Sequence, residues 1–287
     1  SLAWSWNHGC LRAQTVVADS LARLLATAPP DTHRVSMLVD YAFEINELQT
    51  EVANSKLQEA LALAKHLKDP RVEAAAINGL GLIEEIRGDY AKAITLYQQA
   101  LALRQSIGDE LRAAGTLINL GNAYESLGDL ASAISSHRQS LALYERLHNT
   151  TRMARAYSNI AGVLESTGEY PGAFTELDKA RILLEKENDP FTIAKIYTKL
   201  GHNRFEMDQY PEAKEWYRKS LHLRQKLNNR ADLAEGLTDM GNALDELENT
   251  DSSWLAVQLY NQALVIYNAI NDQPSIGRIY NNLGDAY

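Results

Sequence analysis

The chain has 287 residues, of which 45% are hydrophobic and 23% charged, and its formal net charge is −9. That length holds an ample core, and the acidic balance disfavours phosphate backbones and anionic lipid surfaces as partners. The lone cysteine, Cys10, excludes an intrachain disulfide and a cysteine-built zinc site, and no apolar run reaches the roughly 20 residues needed to span a bilayer.

In chain order, the first ten residues carry Trp4 and Trp6 but no basic stretch, so they do not read as an intact signal peptide. An amphipathic helix is expected near residues 11–27, where it would cap the apolar end of the first repeated unit. From residue 33 the chain repeats itself. Leu80-Gly81, Leu120-Gly121, Ile160-Ala161, Leu200-Gly201 and Met240-Gly241 are spaced by 40 residues, and Leu283-Gly284 comes after 43. A second set of small residues keeps step (Ala53, Ala93, Ala133, Ala173, Ala213, Ala256), and so does a third (Ala60, Ala100, Ser140, Ala180, Ser220, Ala263). Three small positions per period predict three places where helices approach too closely for a bulky side chain. Between these anchors the apolar residues step by three and four, as on a helix.

Turn chemistry divides each period into two helices. Arg87-Gly88-Asp89, Leu127-Gly128-Asp129 and Thr167-Gly168-Glu169 offer glycine for a left-handed helix stop, and Asp89 or Asp129 as the next cap. Gly108-Asp109, His148-Asn149, Asn188-Asp189, Asn228-Asn229 and Asn271-Asp272 join the units, and Pro70, Pro171, Pro190 and Pro211 suit first helical turns. The expected layout is an N-terminal segment over 1–32 with its capping helix. Six helix pairs come next, at about 33–69, 70–109, 110–149, 150–189, 190–229 and 230–272, and 273–287 is the first helix of a seventh unit. Three extra residues near Asn249-Thr250-Asp251 enlarge the sixth unit, and ending at Tyr287 in half a pair predicts that the parent protein continues.

In the third unit, Leu117, Leu120, Gly121, Tyr124, Gly128, Ala133 and Ser140 resemble the signature positions of the tetratricopeptide repeat. The 40-residue unit, with Leu120-Gly121-Asn122 and with Ala133-Ile134 leading to His137, is similar to the subclass of the Leu-Gly-Asn repeat protein, kinesin light chains and bacterial Rap-type regulators. The usual helix-stop proline at the repeat end is missing. The resemblance covers roughly residues 33–287. It implies an all-α fold, a right-handed superhelical solenoid of antiparallel helix pairs, that binds a protein or an extended peptide in a concave groove. Residues 19–35 resemble the lead-in to such regions in bacterial signalling proteins. That implies the regulatory or sensory module of a larger protein, on the cytoplasmic or the extracytoplasmic side. The alternative is a structural oligomerisation scaffold with no groove ligand.

Motifs of catalysis are missing. Gly79-Leu80-Gly81 begins a dinucleotide-like pattern, but Glu84 stands where its third glycine belongs and the segment is helical. No phosphate loop and no HExxH occur, and the seven histidines form no i, i+4 pair, so no enzyme activity, cofactor or metal is expected. His137 and His202 read as helix-surface or groove residues, and Glu84-Glu85 and Asp245-Glu246 as solvated faces.

The resemblance also implies which positions of each first helix line the groove, counting Gly81 and its equivalents as position eight. They are Asn78 and Glu85 in the second unit, then Asn119, Asn122 and Glu125, then Arg155, Ser158, Asn159 and Glu165. The fifth unit offers Lys195, Thr198, Lys199, His202 and Phe205, and the sixth Glu235, Asp239, Asn242, Asp245 and Glu246. Arg278, Asn281, Asn282 and Asp285 close the row. A row of asparagines both donates and accepts, and so suits a peptide backbone of any sequence; the other reading is that each pairs with a neighbouring helix. Asn122, Asn159, Lys195 and Lys199 further resemble four of the five positions of the carboxylate clamp of chaperone-binding repeats, with Ile118 at the fifth. Direct binding of nucleic acid or insertion in a membrane is not expected, and the sequence leaves the oligomeric state open.

Overall fold

A computed structural model describes residues 16–46, 48–187, 189–227, 229–247 and 250–286. Trp4, Trp6, Cys10, Asn188, Asn228, Asn249, Tyr287 and the start of the expected capping helix lie outside the described residues. Fourteen helices and no strand occur among the described residues, so the fold is an all-α repeat solenoid. After α1 (16–27) come six helix pairs: α2 (Thr32–Ile45) with α3 (Thr50–Leu67), α4 (Pro70–Ile86) with α5 (Tyr90–Ser106), and α6 (Glu110–Leu127) with α7 (Leu130–Arg146). The series continues with α8 (Thr150–Ser166) and α9 (Tyr170–Leu184), α10 (Pro190–Phe205) and α11 (Tyr210–Arg224), and α12 (Arg230–Asp245) and α13 (Thr250–Ile270), before the single helix α14 (Gln273–Ala286). The first member of each pair, and α14, are termed A helices and the second members B helices. The chain forms two compact units, one up to Arg152 and one from Met153.

Local chemistry sets the boundaries. Gly88, Gly128 and Gly168 turn with φ of 79°, 86° and 76° between the A and B helices, a conformation that costs glycine little. The carboxylates of Asp89 and Asp129 then accept from the amides of Lys92 and Ser132, starting α5 and α7. Asp69 and Asp189 cap α4 and α10 ahead of a first-turn proline. The enlargement of the sixth unit is absorbed by its B helix, since α13 runs to 21 residues against 15 in α11.

Packing in the first unit begins with α1, whose Ala18 and Leu25 join the core of α2 and α3. Arg34 holds the end of α1 by donating to the carbonyls of Leu25 (2.7 Å) and Ala28 (3.0 Å), which satisfies acceptors that a helix end leaves unpaired. The two small-residue series from Ala53 and from Ala60 are fully or almost fully buried along their length. Where serine replaces alanine, its hydroxyl finds an A-helix carbonyl: Ser140 donates to Ala114 at 2.8 Å and Ser220 to Ala194 at 2.9 Å.

The glycine series is a set of sockets. A Cβ on Gly81, Gly201 or Gly241 would fall 2.5–2.6 Å from the ring of Tyr97, Tyr217 or Tyr260, sixteen to nineteen residues later on the B helix. At Gly121 the occupant is His137, with Cε1 at 2.4 Å from the same point. His137 is therefore not a surface or groove residue. It is fully buried, and neither ring nitrogen has a hydrogen-bond partner. Burial pushes its pKa down to about 4, because the low-dielectric interior disfavours the imidazolium. In the fourth pair the socket residue is Ala161 and the occupant position is Leu177, both fully buried: a methyl on one helix goes with a narrower side chain on the other.

Candidate functional site

The A helices carry the chemistry because the B-helix rings bury one side of them and leave polar side chains on another. In the first unit, the Asn119 Nδ2 lies 3.5 Å from the Asn78 Oδ1 on the preceding A helix, and Asn122 and Glu125 are half-buried further along α6. Glu85 accepts from the Tyr97 hydroxyl at 2.7 Å, so a core ring ends on this face. Its neighbour Glu84 is not solvated: it is buried and paired with Arg87 (3.0 Å) and Lys92 (2.8 Å).

The second unit brings together most of the residues expected from the sequence. On α8, Arg155 is exposed, Asn159 half-buried and Ser158 buried. Glu165, at the end of α8, accepts from Asn203 at 3.2 Å, and its pKa is raised by burial against the opposing pull of that bond and of Lys199 and His202. Lys195 and Lys199 stand exposed one turn apart on α10, where the Lys195 ammonium lies 4.1 Å from the centre of the Phe191 ring, an attraction to the π face. Asn122, the remaining clamp-like residue, belongs to the other unit.

Beside Lys199 in sequence, Thr198 points inward. It meets the Ser220 hydroxyl (2.8 Å) and the buried Arg224 guanidinium (3.0 Å). Arg224 further donates to the Asp232 carbonyl (2.6 Å) and to Glu235 (2.9 Å), so most of its fork is used in holding α10, α11 and α12 together. Nothing in the sequence period marks this network, although Arg104 stands at the equivalent place and reaches the Arg112 carbonyl at 2.8 Å and the Thr116 hydroxyl.

His202 and Asp239 face each other across α10 and α12. The Tyr217 hydroxyl bonds His202 Nδ1 at 3.0 Å, while His202 Nε2 lies 3.7 Å from Asp239 Oδ1. Asp239 is buried, and burial, opposed by the charge of His202, raises its pKa to about 6. On the same helix, Asn242 Oδ1 accepts from Tyr260 (2.9 Å) and from Asn282 Nδ2 on α14 (2.8 Å), and this uses its oxygen while leaving its amide hydrogens uncommitted. Asp245 has its pKa raised by burial and by Asp285. Glu246, Arg278, Asn281 and Asp285 are exposed or half-buried, and Phe205 is half-buried, stacked edge-on against Tyr210. Among the described residues no group of three or more His, Cys, Asp or Glu could hold a metal ion, and no helix is long and apolar enough to cross a membrane.

Two family models, both described as tetratricopeptide repeat, match residues 71–146 and 193–234. No curated protein matches the chain in sequence. Among solved structures, BtubC (BKLC) from P. vanneervenii superposes with a TM-score of 0.63 at 19% identity, over 88% of this chain and 92% of that one. A Rap protein complexed with competence and sporulation factor gives a TM-score of 0.64 at 15% identity, over 96% of this chain and 86% of that one. The apo form of RapI gives 0.63 at 13% identity, over 88% and 97% respectively. At such identities the likeness is one of fold.

Proposed function

We propose that this chain, a tetratricopeptide-repeat protein, holds an extended peptide or a partner protein on its A-helix faces, as the regulatory module of a larger signalling protein. The observation that carries this reading is the polar row on α8, α10, α12 and α14. Asn159, Lys195, Lys199, His202, Asn242 and Asp245 are carried on successive A helices, the two lysines and His202 exposed, and the Asn242 amide hydrogens remain available to a backbone carbonyl. Polar faces held on rigid helices present donors and acceptors at low entropic cost. The likeness to Rap proteins, one of them complexed with a competence and sporulation factor, supports a regulatory role. The pair Lys195 and Lys199 beside Asn159 suits a carboxylate, either acidic or C-terminal, through charge-assisted hydrogen bonds.

The test uses the whole chain against a displayed library of random short peptides. Recovered peptides should lose at least tenfold in affinity to an Asn159→Ala/Asn242→Ala variant of unchanged helicity. The competing reading is an oligomeric scaffold. It predicts no recovered peptide, a multimer by light scattering, and amide-exchange protection of the A-helix faces that disappears on dilution.

A further inference from the structure

Asp239 combines features that a merely structural acid does not have. Its side chain is 10% exposed, yet Oδ2 has no hydrogen-bond partner. Oδ1 meets only the His202 Nε2 at 3.7 Å, beyond a hydrogen bond. An ionised carboxylate with one oxygen sealed from water and left without a donor is costly, so it selects for a partner that supplies one.

The groups around it do not supply one. From α10, His202 is held at Nδ1 by the Tyr217 hydroxyl of α11. From α11, Arg224 is spent on Thr198, Ser220, the Asp232 carbonyl and Glu235. From α12 itself, Glu235 adds negative charge, and from α14, Arg278 acts through space without bonding Oδ2. Further along the same helix Asp245, coupled to Asp285, extends the acidic field. The His202 ring, whose side chain is 52% exposed, stands over Oδ1, so a ligand reaching both oxygens has to displace that ring and its bond to Tyr217. A metal does not fit, because no three ligating side chains gather here among the described residues. A guanidinium does, since its planar fork meets both oxygens of one carboxylate at once.

We infer that Asp239, gated by His202, is an arginine-binding subsite, which receives a guanidinium side chain of the bound peptide between α10, α12 and α14. The inference rests on the reading of the A-helix face as a peptide-binding surface, and it names one anchor of the peptide.

The probe is the blocked tripeptide acetyl-Ala-Arg-Ala-amide, compared with its citrulline counterpart, which keeps the shape and loses the charge. Titration of the full chain is followed by the side-chain NMR signals of His202 and of the Asp carboxylates. The arginine tripeptide should shift the His202 and Asp239 signals saturably, and citrulline should bind at least tenfold more weakly. Asp239→Asn, close to isosteric, should erase that preference. Lowering the pH from 7 to 5 should weaken arginine binding about tenfold, because a carboxyl with its pKa near about 6 is then mostly protonated and neutral. Equal binding of the two tripeptides overturns the inference without need of any substitution, and so does undiminished arginine binding by a folded Asp239→Asn chain. If library peptides bind while arginine shows no preference, the subsite fails and the peptide-binding face stands; if neither binds, both fail.

Discussion

Replacing Gly121 by alanine and His137 by leucine, singly and together, tests the sockets quantitatively. An alanine Cβ at 121 would stand 2.4 Å from the His137 Cε1 and 2.6 Å from its Nδ1, and the ring is fully buried. Overpacking of this kind costs about 1–3 kcal/mol, against a gain of about 1 kcal/mol from replacing glycine inside a helix. Gly121→Ala alone should therefore destabilise the hairpin by up to about 2 kcal/mol. His137→Leu removes two buried nitrogens that lack partners. Each such group carries a penalty on the order of 1 kcal/mol or more, so this change should be neutral or stabilising. Together the two changes recreate the pairing of Ala161 with Leu177, where both residues are fully buried. The double variant should exceed the wild type in stability, with a coupling of about 1–3 kcal/mol between the sites. Because repeat arrays open piecewise, the measurement is amide-exchange protection of α6 and α7, which reports local opening free energy. Additive effects, or a double variant no better than Gly121→Ala, would refute the socket argument.

The same imidazole sets a pH dependence: folded His137 titrates near about 4 and the unfolded side chain near about 6.5. The unfolded state thus binds the proton first, and protection of α6 and α7 should fall by up to about 3 kcal/mol as the pH drops through that window, a loss absent in His137→Leu. Asp239 has the opposite sign, since its folded pKa is raised to about 6; lowering the pH from above 6 towards 4 should strengthen α12, and Asp239→Asn should remove that trend. Ala133→Leu, at a fully buried crossing, should cost about 1–3 kcal/mol, whereas Ala131→Leu, exposed two residues earlier, should cost under about 0.5 kcal/mol in the same denaturant melt. Lys195→Glu/Lys199→Glu should weaken a carboxylate-ended peptide by about 1.5–3 kcal/mol for each charge-assisted hydrogen bond removed, and less at high salt; unchanged titration curves would dismiss the clamp-like pair.

The helix pairs are legible in the sequence because steric demand recurs at fixed spacing. A crossing that admits only Ala or Ser, as at Ala133 and Ser140, leaves the same trace in every period, and so does a turn that needs glycine, as at Gly128. His137 misleads when taken alone. It stands 40 residues after Tyr97 and 40 before Leu177, in a series whose other members are plainly core residues, and that periodicity outweighs the polarity of a single imidazole. The face is only partly legible. Asn78 with Asn119, and Asn242 with Asn282, pair at about one repeat of separation, so a row of asparagines seen in sequence is in part a row bonded to itself. The burial of Asp239 leaves no trace, because it arises where α10 and α12 converge, and residues 202 and 239 share no motif. Arg224 goes unmarked for a like reason: the long side chain of a B helix reaches sideways into the next pair.

The tyrosines in the sockets have a spectroscopic consequence. Each ring is wedged against a backbone at one end, and at the other its hydroxyl touches a residue of the A-helix face: Tyr97 on Glu85, Tyr217 on His202, Tyr260 on Asn242. A molecule that displaced any of those three partners would change the polarity around a phenol otherwise sealed in the interior, and so alter its ultraviolet absorbance and emission. Occupancy can then be read optically from inside the protein, without a dye. The readout would be blind where the wedge is His137 or Leu177, since neither carries a hydroxyl to the surface.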